Sequence, residues 1–188
     1  MSNITKVLIG VCALVLSVNA TVITFDDVSA TLGYAPINNG YAGLNWDNFY
    51  VINRADWPGS GYDNGTVSGD YTAFNGFGAG ATISDGTFNF DGAYLTSAWN
   101  SGNQITVNGF SGGVQEYSKT VTVNTQGPTW FDFNFTGIDA LTFNSSSAQF
   151  AMDNFTINSR SVPEPGMLSM FFVGLLSFAG FVAVRKRK

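Results

Sequence analysis

Thr129-Trp130-Phe131-Asp132-Phe133-Asn134-Phe135 alternates aromatic and polar residues along its whole length. A period of two places Phe131, Phe133 and Phe135 on one face and Trp130, Asp132 and Asn134 on the other, the signature of a strand with one buried side. Similar short runs recur on both sides of it: Val22–Phe25, Leu44–Asn53, Tyr71–Phe74, Thr87–Phe90, Ala93–Ala98, Gln104–Phe110, Tyr117–Val123, Ala140–Phe143 and Phe150–Ile157. Turn signals separate them at Asp85-Gly86, Asp91-Gly92, Ser101-Gly102, Ser111-Gly112-Gly113, Gly127-Pro128 and Thr136-Gly137. No stretch carries a helical stripe of three turns, and helix formers are scarce between Thr21 and Ser159. About ten short strands with closely spaced turns predict an all-β, antiparallel β-sandwich, with a jelly roll as the expected wiring. The Gly-rich stretch from Trp57 to Gly80, with its Asp63-Asn64-Gly65 turn, reads as a long loop or strand-edge excursion that could carry a ligand surface.

Charge is unevenly spread along the 188 residues. All 13 acidic residues fall between residues 21 and 165, where the cations are Arg54, Lys119 and Arg160, so this portion carries −10. Such a body lacks the basic face that nucleic acid requires, and an anionic lipid surface would repel it. Histidine is absent and Cys12 is the single cysteine. Catalysis by His–Ser or Cys–His pairs is thereby excluded, as is zinc held by His or Cys.

Both ends read as addresses. Lys6, the apolar run Val7–Val18 and the small residues of Val18-Asn19-Ala20 describe a secretory signal peptide over residues 1–20, cleaved before Thr21. An uncleaved anchor is the other reading of the same run. At the far end, residues 160–166 form a linker containing Pro163-Glu164-Pro165. Residues 167–184 are free of charge and, at 1.5 Å per residue, just long enough for a transmembrane helix. Arg185, Lys186, Arg187 and Lys188 follow, a stop-transfer cluster that keeps this end cytoplasmic.

The order of motif, span and basic cluster over residues 162–188 resembles the PEP-CTERM sorting signal of Gram-negative bacteria. The resemblance implies that Pro163, Glu164 and Pro165 are recognised by an integral-membrane exosortase. It also implies an inner-membrane-anchored precursor that is processed and sent to the cell surface or the extracellular matrix, often in bacteria that make exopolysaccharide. A plain membrane anchor is the competing reading. Phe25-Asp26-Asp27, Tyr41-Ala42-Gly43-Leu44-Asn45-Trp46, Phe135–Leu141 and Met152-Asp153-Asn154-Phe155 also resemble parts of carbohydrate-binding-module-like jelly rolls. In such modules a calcium ion near the first and last strands is usually structural.

Three constellations could carry chemistry. First and last strands of a jelly roll commonly pair, so Asp26, Asp27, Asp153 and Asn154 could meet and supply oxygen ligands to Ca²⁺. The competing reading has these carboxylates capping strand ends in solvent. Second, Trp46, Trp57, Trp99, Trp130, Tyr34, Tyr41, Tyr50 and Tyr62 could stack on sugar rings or pack a core. Trp57 is the foremost glycan candidate, because it sits in the Gly-rich stretch beside Arg54 and Asp56. Third, glycoside hydrolysis needs two suitably spaced carboxyls. Glu116 is the only Glu in the body, and chance pairs among 13 acids make this signal weak. The expected function is that of an exported, non-enzymatic surface or matrix protein with a structural or adhesive role at exopolysaccharide. The alternative is a carbohydrate-binding module, and a glycan-acting enzyme stands third.

Overall fold

The computed structural model describes residues 20–30, 33–146 and 148–159. The predicted signal peptide short of Ala20, the Pro163-Glu164-Pro165 linker, the span 167–184 and the basic end all lie outside the described residues. Among the described residues no helix is long and apolar enough to cross a membrane.

The fold is all-β. Among the described residues ten strands, β1 (Ala20–Ile23), β2 (Tyr34–Pro36), β3 (Asn45–Asp47), β4 (Phe49–Asn53), β5 (Tyr71–Asn75), β6 (Ala81–Ser97), β7 (Asn103–Ser111), β8 (Val114–Val123), β9 (Thr129–Ser145) and β10 (Phe150–Ser159), are joined by turns, three single-turn 3₁₀ helices and one short α-helix, α1 (Gly61–Gly65). They hydrogen-bond in the order β2-β4-β5-β10-β6-β9-β7-β8, with β1 added to β10 and β3 added to β6. Every pairing among the described residues is antiparallel. The expected pairing of first and last strands is found, with Val22 opposite Thr156 and Ile23 opposite Phe155.

This single ladder closes over itself into two layers. In a flat sheet β4 and β9, with three strands between them, would stand roughly 19 Å apart at about 4.8 Å per strand. The rings of Phe49 on β4 and Phe143 on β9 nevertheless meet at 5.6 Å, edge to face. Between the layers Phe90 stacks on Phe133 at 4.8 Å and on Phe155 at 4.7 Å. Trp46 packs against Phe25, Phe49 and Phe155, and its indole N–H donates to the Tyr41 carbonyl oxygen at 2.9 Å. That bond satisfies the one polar atom of an otherwise apolar side chain, so its burial carries no orphan donor.

The alternation read at 129–135 holds: Phe133 and Phe135 are buried, Phe131 packs half-buried on the core, and Asp132 and Asn134 face solvent. Several turns predicted from sequence are instead irregularities inside two 17-residue strands. Asp85-Gly86 sits where β6 advances from Ser84 to Phe88 while its partner β9 advances only from Ala140 to Ile138. Asn134, with φ 54°, and Gly137, with φ 68°, occupy the corresponding shifts in β9. Extra residues of this kind bend a strand and sharpen its twist, which lets β6 and β9 serve both layers. The stretch Trp57–Gly80, read as a long loop or strand-edge excursion around the strand expected at Tyr71–Phe74, holds that strand as β5 and contains α1 as well.

Candidate functional site

β4 reads Phe49-Tyr50-Val51-Ile52, an unbroken apolar run rather than an alternating one. Such a run requires cover on both faces of the strand. Phe49 and Val51 point into the main core, whereas Tyr50 and Ile52 point outward to a second cluster with Tyr62, Phe74 and Ala98. Cover for this outer face comes from α1 and from the chain leaving β6.

α1 is fixed by local chemistry. Ser60 caps it, its hydroxyl accepting from the Tyr62 N–H at 3.2 Å and donating to the Trp57 carbonyl oxygen at 2.6 Å. Asp63 accepts from the Gly59 N–H at 3.0 Å and pairs with the Arg54 guanidinium at 2.9 Å. The Gly59 N–H and then Arg54 hold the Asp63 carboxyl below its ordinary range. The Gly61 N–H donates to the Ala98 carbonyl oxygen at 2.9 Å, and the Ala98 N–H to that of Gln149 at 3.0 Å. This lashing brings Trp57, Tyr62, Trp99 and Gln149 together. Trp57 meets Trp99 edge to face at 5.6 Å, and Trp99 meets Tyr62 at 5.4 Å. The Trp99 indole N–H donates to the Gln149 side-chain oxygen at 2.7 Å.

The outcome is an aromatic cleft of about 140 Å³, floored by Tyr62 and Phe74. Its rim is open to water: Tyr34 is 45% exposed, Trp57 41%, Trp99 45% and Phe77 74%. These are four of the seven large apolar side chains that the described surface exposes, gathered at one place. A second cavity, about 270 Å³, lies on the other flank of Trp99, lined by Pro58, Gly59, Ser60 and Thr125. Burial raises the Tyr62 hydroxyl above its ordinary range, so this floor residue stays protonated.

Of the three predicted glycan contacts, Trp57 lines the cleft, whereas Arg54 and Asp56 do not. Arg54 is turned to Asp63 instead, a nearer and fixed partner. Tyr34, Tyr50, Tyr62 and Trp99 from the predicted aromatic set join Trp57 there, while Trp46 is core. Trp130 lies elsewhere, packed on Tyr94 at 5.2 Å. Phe77 and Gln149 were not singled out by the sequence. The unbroken apolar run of β4 was the available signal for an outer aromatic face.

The predicted calcium ligands are partly assembled. Asp153 is fully buried; one carboxylate oxygen accepts from the N–H groups of Val67 at 2.6 Å and Ser68 at 3.1 Å, the other from Asn154 at 2.7 Å. Asp26 accepts from the Asp70 N–H at 3.1 Å, and the Ser68 hydroxyl lies 3.3 Å from Asp26 and 3.0 Å from Asn154. Asp27 accepts from the Tyr41 hydroxyl at 2.5 Å. Burial, with Asp27 adding to it, raises the Tyr41 hydroxyl above its ordinary range. Among the described residues no three Asp, Glu, His or Cys side chains are grouped to hold a metal ion. The donor set suits calcium poorly, because backbone N–H groups already face both oxygens of Asp153 and one of Asp26, while a hydroxyl faces Asp27. What the cluster does is pin residues 67–70 between β1 and β10. Glu116 stands exposed on β8, remote in strand order from the cleft.

No protein-family model and no curated protein matches the chain. Among solved structures it is similar to TmCBM61 in complex with β-1,4-galactotriose, at 11% identity over 62% of this chain and 87% of that one, with a TM-score of 0.40. It is similar to the K1 cleaved adhesin domain of Lys-gingipain from Porphyromonas gingivalis W83, at 10% identity over 76% of this chain and 99% of that one, with a TM-score of 0.42. A third likeness is to the CBM51 from Clostridium perfringens GH95 in complex with methyl-galactose, at 7% identity over 73% and 100% of the two chains, with a TM-score of 0.35.

Proposed function

We propose that this protein is an exported, non-enzymatic surface or matrix component that holds a glycan in the Trp57–Trp99 cleft. The observation that carries the reading is the gathering of Tyr34, Trp57, Phe77 and Trp99 at one solvent-open rim. Large exposed aromatics concentrated at one place mark binding surfaces. Ring faces beside a single amide, Gln149, suit a sugar, which offers an apolar C–H face edged by hydroxyls. Among the described residues the cleft lining holds no carboxyl, and glycoside hydrolysis needs two. Co-sedimentation with insoluble exopolysaccharide from a producing bacterium tests the reading. Wild type should pellet and Trp57→Ala should stay in solution; equal pelleting of both removes the cleft from adhesion.

Export and sorting rest on residues 1–20 and 162–188, where signal peptide, Pro163-Glu164-Pro165, apolar span and Arg185–Lys188 follow one another. The partner proposed for the tail is an exosortase in the inner membrane, and the product is released to the surface. Replacing all three of Pro163, Glu164 and Pro165 by Ala should leave a membrane-retained protein of unprocessed mass. If mass spectrometry finds that variant shortened and released like wild type, the three residues are a linker.

A further inference from the structure

The glycan cleft pairs stacking faces with a lack of positive charge, and the combination restricts its ligand. Among the described residues, none of the side chains lining the cleft or the adjoining cavity beyond Trp99 is charged. Among the described residues the cations are Arg54 and Lys119, against twelve carboxyl side chains. Arg54 is committed to Asp63, whose carboxyl the Gly59 N–H and then Arg54 hold below its ordinary range. Lys119 is on β8, at the opposite end of the strand order from β4 and β5. There its ammonium donates to the Asp132 carbonyl oxygen and lies 5.5 Å from the Phe133 ring centre. Asp56, exposed, adjoins Trp57 in the chain.

From this we infer that the cleft takes an uncharged glycan and rejects polymers that carry carboxylate or sulfate groups. The inference rests on the glycan reading above and narrows it. A uronate or sulfated sugar seated against Trp57 and Trp99 would lose water without gaining a cation or a charged donor, and an unpaired anion moved out of water is costly. The field of the acidic body opposes its approach as well. A neutral sugar meets neither obstacle. Its ring face stacks on indole, and its hydroxyls find Gln149 on one side and the Ser60 and Thr125 edge of the second cavity on the other.

Affinity electrophoresis of the full chain in a polyoxyethylene detergent decides the matter. The gels contain either neutral polymers (dextran, galactan, mannan) or acidic ones (alginate, polygalacturonate, chondroitin sulfate). The variants are Trp99→Ala and Phe77→Ala, the second at the most exposed ring so that folding is spared; matched melting temperatures verify this. At least one neutral polymer should retard wild type, with retardation reduced about tenfold or more in Trp99→Ala, equivalent to about 1.4 kcal/mol. Acidic polymers should give no retardation that either variant alters. Variant-sensitive retardation by an acidic polymer, equal to or stronger than by the neutral ones, overturns the charge inference and leaves the glycan reading standing. No variant-sensitive retardation by any polymer overturns both.

Discussion

Gly61 lies so close to the end of β6 that a Cβ on it would collide with the Ser97 carbonyl oxygen. The obstacle is backbone and cannot swing aside. A methyl group there must therefore push α1 off β6, and with it the contact that sets Trp57 and Tyr62 against Trp99. Gly61→Ala should cost about 1–3 kcal/mol, as overpacking generally does. At roughly 2–4 °C per kcal/mol for a domain of this size, the loss is readable in thermal melting. Gly127→Ala is the control, since a Cβ at Gly127 meets nothing within 4 Å. Equal melting of the two variants would show that α1 is not held by this contact.

Asp153 titrates in an unusual range. Its burial, aided by the charge of Asp26, pushes the carboxyl up to about 6 against the opposing pull of the Ser68, Val67 and Asn154 N–H groups. A carboxyl with a raised folded pKa holds its proton more tightly in the native than in the unfolded chain. Between about pH 4 and pH 6 the native state therefore binds more protons, and the stability this group contributes falls as pH rises. The full change is on the order of 3 kcal/mol. Asp153→Asn cannot titrate, so the melting-temperature difference between wild type and variant should shrink from pH 4 to pH 7. Parallel pH profiles would assign the slope to other carboxyls.

Phe90 of β6 stacks on Phe133 and Phe155 and meets Phe135 and Phe143 edge to face, so four rings from its two neighbouring strands, β9 and β10, converge on one ring. It is fully buried. Phe90→Ala should cost about 3–5 kcal/mol, the transfer loss plus the cavity left among rings that cannot collapse inward. Denaturant melts of wild type and variant measure it; a loss under about 1 kcal/mol would mean the layers close without this ring.

The all-β class is legible in the sequence because burial on one face forces a period of two, and Phe131, Phe133 and Phe135 obey it. The bulges are not legible. Asp85-Gly86 has the composition of a hairpin turn, and only the continuation of β9 alongside makes it a bend within β6. The cleft is half legible. Trp57 stands out by its local setting, but Tyr34, Phe77 and Trp99 come from separate segments; long-range pairing of β2, β4 and β5 brings Tyr34 to Phe77, and the Gly61–Ala98 and Ala98–Gln149 hydrogen bonds bring in Trp99. Adjacent Asp26 and Asp27 look alike in sequence, yet one joins Asp153 around Ser68 while the other is taken by Tyr41.

Calcium is the sharpest point at which the residue types and their arrangement diverge. Asp26, Asp153 and Asn154 do converge, as paired first and last strands require. A calcium ion needs six to eight oxygens turned toward it. Here the Asp153 oxygens face three N–H groups, Asp26 faces the N–H of Asp70, and Asp27 is bound to Tyr41. An ion binding only the native state at about 100 times its dissociation constant would add about 2.7 kcal/mol, several degrees of melting temperature. The geometry instead predicts the same melting temperature, within about 1 °C, in chelator and in millimolar Ca²⁺, once Na⁺ matches the ionic strength and so removes general screening of the acidic body. Ser68→Ala, which removes the hydroxyl lying between Asp26 and Asn154, should lower melting by a similar small amount in both buffers, about 1 kcal/mol for one hydrogen-bonding group. A rise of several degrees with Ca²⁺ in wild type, absent from Asp153→Ala, would show that the N–H groups yield these oxygens to an ion.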